Sequence, residues 1–346
     1  MKRLNILLTG GSGFLGKAIV DELLDPGCHL PVGSLKVFDV VPPPEYNDPR
    51  FSYIKGDVTS YNQVSEACRD VELVIHSAAI VDWGTHSENE ILQVNFGGTE
   101  NVIRACKKNG IRKLIYTSSL DAVYSGKPLV DIDESITYPE KHETVYCRSK
   151  YLSEKLALEE NGNGMDVTVL RPSDIYGEGD PYHIGSLINM AKGGFYVRLG
   201  NGRHHCQHVY VRNMAWAHVL AAKSLIAEDS KVAGKVYFLT DAEGTNFFKF
   251  FDQIVEGAGY RIWPGNLWIP RGIAYAMGSL SEFFAFLIRP FKKYHPKFSR
   301  FAVTYTCTDF TFSSRKAEED FGFRPKYSEK EALERTIEFY RKEKQL

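Results

Sequence analysis

Thr9-Gly10-Gly11-Ser12-Gly13-Phe14-Leu15-Gly16 follows directly on the apolar run Leu4-Asn5-Ile6-Leu7-Leu8. A run of that length and branching reads as a buried strand, and Phe14, Ala18, Val20, Leu23 and Leu24 behind it recur at helical spacing. The glycines therefore occupy a strand-to-helix turn. Gly11, Gly13 and Gly16 satisfy G-x-G-x-x-G: one glycine permits the tight turn, one lets backbone approach a pyrophosphate, and Gly16 lets the helix pack closely on the strand. The first-turn N–H groups then point at the phosphates, where the helix dipole also favours negative charge. An ordinary βα turn can carry such glycines too. The context on both sides decides, together with Asp39, 23 residues beyond Gly16 at the end of a second strand read at Leu35-Lys36-Val37-Phe38.

With 346 residues and 43% hydrophobic content, the chain has length for a sizeable core. The expected division is a dinucleotide-binding domain over 1–177 and a smaller second lobe over 178–346, with segments of the second returning to the first sheet. Forty-two basic residues against 43 acidic ones give a formal charge of -1, so no global basic field argues for nucleic acid. The six cysteines are scattered without a C-x-x-C pair, which suits reduced thiols on the cytosolic side rather than a disulfide framework or a zinc site. Residues 1–8 lead straight into the first strand and leave no room for a signal peptide.

Past Asp39, Val40-Val41-Pro42-Pro43-Pro44 closes the second strand and opens a surface loop. The Asp39 carboxylate can accept hydrogen bonds from both adenosine ribose hydroxyls, whereas a 2′-phosphate would meet like charge. No arginine follows it closely, so NAD is favoured over NADP. Residues 51–58 read as a third strand, with Asp57 and Val58 at its tip where an adenine could lie. Residues 72–76 read as a fourth, ending in Ser77-Ala78-Ala79, whose small side chains let a dinucleotide pass close to the backbone. A long helix is expected over 88–108, with Asn95 in its interior either a polar plug or a positioned functional group. Residues 113–119 form a fifth strand ending in the hydroxyls of Ser118 and Ser119. Strands alternating with helices this regularly imply an α/β, Rossmann-type doubly wound parallel sheet, and its ligands lie off the strands' carboxyl ends.

The sharpest catalytic signal is Tyr146-Cys147-Arg148-Ser149-Lys150. Residues four apart share a helix face, so the Lys150 ammonium can sit beneath the Tyr146 phenol and lower its pKa. The phenol could then exchange a proton with a substrate hydroxyl near neutral pH. Tyr151/Lys155 and Tyr340/Lys344 show the same spacing. Tyr151, five positions on, points about 140° around the same helix, and Tyr340 lies in a charged C-terminal stretch, so both read as structural or surface residues.

Together with Leu170-Arg171-Pro172-Ser173-Asp174-Ile175-Tyr176-Gly177, the glycine turn and the Ser119/Tyr146/Lys150 set resemble an extended short-chain dehydrogenase/reductase. Tyr116-Thr117-Ser118-Ser119, the stretch 209–218, Phe310-Thr311-Phe312-Ser313 and Leu287-Ile288-Arg289-Pro290 narrow the resemblance to the 3β-hydroxysteroid dehydrogenase/Δ5-Δ4 isomerase family, from about residue 4 to 340. The resemblance implies that Tyr146 is the general acid/base, Lys150 its partner and nicotinamide-ribose ligand, and Ser119 the group bonding the reacting oxygen, with Ser118 the fallback. It implies that Gly10, Gly13, Phe14, Leu15, Gly16, Asp39, Asp57, Val58, Ala78 and Ala79 hold NAD, with Pro172 and Ser173 flanking the nicotinamide. A steroid or other lipophilic alcohol is the implied substrate, oxidised at its 3β-hydroxyl. The second lobe offers no acid/base pair that matches the family's isomerase function, so isomerisation stays open. A membrane-associated protein is implied, on the endoplasmic reticulum or mitochondrial membrane in a eukaryote, and a homodimer is compatible. Rival readings are a sterol-4-carboxylate 3-dehydrogenase, a 3-oxoacyl-lipid reductase, a nucleotide-sugar epimerase and a cofactor-binding sensor or scaffold. An intact serine, tyrosine and lysine set argues against the scaffold.

Past Gly177 the regular alternation fails, marking a smaller mixed C-terminal substrate lobe. His204-His205-Cys206-x-His208 could be offered as a metal cluster, but adjacent histidines on extended chain point to opposite faces and no carboxylate completes the set. No metal is expected. From 272 to 288 the only charge is Glu282, with Ile273, Met277, Leu280, Phe284 and Leu287 at helical spacing and Arg289, Lys292, Lys293, Lys297 and Arg300 behind. Seventeen residues is the short limit for a membrane span, and Glu282 near the centre would cost roughly 2.5 to 3.5 kcal/mol. A helix covering the substrate lobe and an interfacial helix on a membrane surface are equally compatible with this pattern.

Overall fold

The computed structural model describes residues 3–82, 86–288 and 299–345. Seven strands form one sheet: β1 (Leu4–Thr9), β2 (Val32–Asp39), β3 (Phe51–Lys55), β4 (Leu73–His76), β5 (Lys113–Thr117), β6 (Asp166–Pro172) and β7 (Lys235–Leu239). Their order is β7-β6-β5-β4-β1-β2-β3, and every neighbouring pair is parallel. The chain runs outward from β1 to β3, then returns to start again at β4. The switch point between β1 and β4 is where such sheets open a ligand crevice.

Near-continuous apolar strands are what a sheet buried on both faces requires. Because side chains alternate along a strand, Ile6 and Leu8 face one layer while Leu7 faces the other. The first layer contains α1 (Phe14–Leu24) through Ile19, Val20 and Leu23, together with Val219 and Ala222 of a later helix. The second contains Val102, Ile103 and Cys106 of the helix Gly98–Lys108.

The helix expected over 88–108 is broken into Glu88–Leu92, a π-helical turn Gln93–Gly97 and Gly98–Lys108. A capping box between Ser87 and Glu90 starts it. The buried Asn95 lies in the π turn, the kind of irregularity that frequently marks functional sites.

Further along, α2 (Val145–Glu159) is capped by Thr144, and α3 (Val211–Leu225) packs on α1. A short parallel pair joins Asp174–Tyr176 to His208–Tyr210, another joins Arg198–Leu199 to Trp268–Ile269, and α4 (Phe247–Gly257) places Phe247, Phe250, Phe251 and Ile254 on one buried face. α5 (Arg271–Ile288) covers the apolar stretch expected at 272–288. Ala274 and Ala285 are buried, while Ile273, Leu280, Phe283 and Phe284 are each more than half exposed. Its single inner charge, Glu282, accepts from Arg300 Nε at 2.6 Å at the start of α6 (Arg300–Thr306). A Cβ at Gly278 would lie 2.9 Å from the Arg300 backbone nitrogen, so glycine permits this close crossing. Among the described residues no helix is long and apolar enough to cross a membrane. The basic positions 289, 292, 293 and 297 lie outside the described residues.

Candidate active site

One cleft of about 590 Å³ opens along the carboxyl ends of the strands, and every residue expected to bind cofactor or act in catalysis lines it. At the first turn, Gly10 has φ +73° and faces the Ala78 backbone, so a side chain there would be both strained and obstructed. A Cβ at Gly16 would overlap the Gly10 carbonyl oxygen. These two glycines thus supply the turn and the close packing, while Gly11 lies against Val37. Phe14 and Leu15 open α1. Asp39 ends β2, its carboxylate accepting from the Ser12 N–H at 3.0 Å and the Val41 N–H at 3.1 Å. Asp57 and Val58 follow β3, Ala78 and Ala79 follow β4, and Pro172 and Ser173 close β6. The glycine cradle, the strand-end carboxylate and the buried, unpartnered Ser118 and Ser173 hydroxyls fit a dinucleotide laid across the switch point.

α2 carries Tyr146 and Lys150 into the same cleft, opposite Ser119 at the end of β5. Lys150 Nζ donates to the Thr117 carbonyl at 2.8 Å and lies 5.2 Å from the centre of the Tyr116 ring. Burial pushes this ammonium down to about 8, against the opposing pull of Glu154 and Asp121. The Tyr146 phenol is pushed well above its ordinary value, first by burial and then by the Asp121 carboxylate, with Ser119 pulling the other way. The expected lowering of its pKa by Lys150 does not set the direction: burial and the Asp121 carboxylate do, and the Lys150 ammonium is engaged by the Thr117 carbonyl.

Asn95 belongs to the site's frame. Its Oδ1 accepts from the Ile80 N–H at 2.8 Å, and its Nδ2 donates to the Ile80 carbonyl and to Ser149 Oγ at 3.0 and 2.9 Å. Ser149 Oγ in turn donates to the Tyr146 carbonyl at 2.7 Å, so Asn95 pins α2 to the loop after β4.

Among the wall residues that the sequence reading gave no role are Asp121, Asp174 and Tyr305. The Tyr305 hydroxyl donates to Asp174 Oδ1 at 2.6 Å. Asp121, two positions after Ser119, could have been found as the partner of a strand-end serine; Tyr305, on α6, carries no local signal. Tyr151 stacks on His142, and the buried Tyr340 hydroxyl donates to the Asp180 carbonyl, so neither lines the cleft. His204 pairs with Asp309, His208 is packed against Phe250, and among the described residues no group of His, Cys, Asp or Glu is placed to hold a metal ion.

Strand order, glycine turn and the serine, tyrosine and lysine in one cleft define a short-chain dehydrogenase/reductase of the extended kind. The model of the 3-beta hydroxysteroid dehydrogenase/isomerase family matches residues 7–265, and the chain belongs to that family. It is 35% identical over 357 residues to 3 beta-hydroxysteroid dehydrogenase type 7 of Homo sapiens, covering 97% of this chain and 95% of that protein. It is 31% identical over 334 residues to the decarboxylating sterol-4-alpha-carboxylate 3-dehydrogenase of Mus musculus, covering 96% and 89%. Among solved structures, the dTDP-glucose 4,6-dehydratase DesIV of Streptomyces venezuelae, solved with NAD, superposes with a TM-score of 0.78 at 20% identity, covering 99% of this chain and 98% of that one. That likeness carries the fold.

Proposed function

We propose that this protein is an NAD-dependent oxidoreductase that converts a 3β-hydroxysterol into the 3-oxosteroid. The observation that supports it is the single cleft in which a dinucleotide cradle meets Ser119, Tyr146 and Lys150 and then continues to Tyr182, Phe301 and Tyr305. NAD, when bound, would accept the carbinol hydrogen with its electron pair. Tyr146 takes the hydroxyl proton, Ser119 touches the same oxygen, and Lys150 contributes positive charge and a donor to the ribose. Asp39 meets the adenosine ribose hydroxyls and rejects a 2′-phosphate by like charge.

The lining also discriminates among substrates. Among the described residues of the cleft there is no arginine and Lys150 is the only lysine, whereas Asp121 and Asp174 are carboxyl groups. A sterol carrying a 4-carboxylate, or a sugar diphosphate, would bring negative charge towards Asp121 and Asp174, with Lys150 alone among the described lysines and arginines of the cleft to receive it. A neutral sterol fits better. The exposed apolar face of α5 would rest on a membrane surface, from which such a substrate partitions.

The test is turnover with NAD on a neutral 3β-hydroxysteroid, a 4-carboxysterol and a nucleotide sugar, with Tyr146→Phe as control. The neutral steroid should be oxidised fastest. The variant should keep NAD binding and lose roughly 10²- to 10⁴-fold in turnover. A variant within threefold of wild type would remove Tyr146 from the chemistry.

A further inference from the structure

Ser119 is held twice by one residue. Its hydroxyl donates to Asp121 Oδ2 at 2.7 Å and accepts from the Asp121 backbone N–H at 3.2 Å, and both residues are buried in the cleft wall. A serine hydroxyl has one proton and two lone pairs. With Asp121 ionised, the proton and one lone pair are committed, and Ser119 can offer a reacting oxygen only its second lone pair. In the resting complex an alcohol suits that lone pair, because it brings its own O–H while the neutral Tyr146 phenol donates to its oxygen; for oxidation that one proton turns to Tyr146. A ketone does not, since two acceptors would then face each other across a desolvated gap. With Asp121 protonated, the acid O–H can donate to Ser119 Oγ, which frees the serine proton for the ketone.

We propose that Asp121 is a positioning residue whose charge sets whether Ser119 accepts from the alcohol or donates to the ketone. The inference rests on the reading of Ser119 and Tyr146 as the pair that meets the reacting oxygen. The titratable groups facing Asp121 come from every element packed on it: Tyr124 from its own segment, Tyr146, Cys147 and Lys150 from α2, Asp174 after β6, and Tyr305 from α6. Cys147 Sγ donates to the second carboxylate oxygen at 3.5 Å. Burial lifts Asp121 to about 6 and Asp174 adds to this, while Ser119, Cys147 and Lys150 hold it down. At neutral pH the ionised form prevails, so the site holds the alcohol in preference to the ketone made from it. Release of the ketone is favoured there, and the preference relaxes as pH falls through the Asp121 range.

Dead-end complexes test this without turnover: a 3-oxosteroid binding to the enzyme with NAD, and its 3β-hydroxy form binding with NADH. From about pH 7.5 to about pH 5.5 the ketone Kd should tighten roughly three- to tenfold, the worth of one hydrogen bond, while the alcohol Kd stays within about twofold. Asp121→Asn should hold the ketone at the tight value throughout, because its amide N–H replaces the acid O–H. Ser119→Ala should hold it at the weak value, without slope. A flat ketone profile in the wild type, or a slope that survives in Asp121→Asn or Ser119→Ala, overturns the proposal. A change shared equally by alcohol and ketone also overturns it, since that is what a merely structural carboxylate would give. Binding of neither steroid at any pH overturns the sterol reading and this inference with it.

Discussion

Asp39 is the residue at which one carboxylate serves both the fold and the choice of cofactor. It bonds the Ser12 N–H inside the glycine turn, so it braces the cradle as well as presenting charge to the ribose. Asp39→Ala should therefore weaken NAD by roughly tenfold or more and narrow the preference over NADP; wild-type kcat/KM that is higher with NADP would refute the assignment. This residue was legible because its signal is local: a strand end at a fixed distance from a glycine turn. Tyr146 and Lys150 were legible for the same reason, four positions apart on one helix. Asp121 had a local clue beside Ser119, but its meeting with Asp174 and Tyr305 had none, because three distant segments bring them together and no spacing links them. Nor could spacing reveal the direction of the Tyr146 shift, which depends on how much water the fold removes.

Among the elements, α5 combines an apolar outer face with a charge that has already been neutralised. Arg300 pairs with Glu282, so the only carboxylate in the stretch is held by its neighbour on α6. Periodicity in the sequence reveals the helix and its apolar face; it could not reveal the pairing, which joins residues 18 apart in the chain. If α5 docks on a bilayer, the protein should co-sediment with anionic vesicles, and Leu280→Glu with Phe284→Glu should weaken this by roughly tenfold or more, each removing a buried apolar side chain from the interface. A double variant that sediments like wild type would leave α5 as a cover of the substrate lobe alone. The π turn at Gln93–Gly97 was equally hidden, since the helical pattern around it is unbroken and only the position of Asn95 in its interior hinted at an irregularity.

For the whole molecule, the buried ionisable groups set the response to acid. Burial holds His76 at about 3 and His218 at about 4, and His208 well below its ordinary value. Unfolded imidazoles take up protons below about pH 6.5 that these folded ones refuse, so this contribution to stability is lost as pH falls. Asp121 and Asp241, lifted by burial to about 6 and about 7, act in the opposite sense, because the folded state keeps protons the unfolded chain has released. Asp174 and Asp180, raised by burial, act in that same sense, so the histidines' share is a loss of stability on acidification below about pH 6.5 that the buried carboxyls oppose. His218→Gln, which can keep bonds to the Thr117 hydroxyl and the Met214 carbonyl, should lessen that loss in thermal melts; a pH dependence unchanged by the substitution would show that His218 is not among its sources. The sheet order carries another consequence. β7 and α3 are drawn from residues beyond 177, yet β7 completes the edge of β6 and α3 packs on α1. As the chain leaves the ribosome, the glycine turn and the Tyr146 helix emerge well before the strand that closes their sheet. Until residue 239 is released, β6 presents an unpaired edge of the sort that recruits other chains, so the interval between making the site and sealing it is the period of greatest exposure to misassembly.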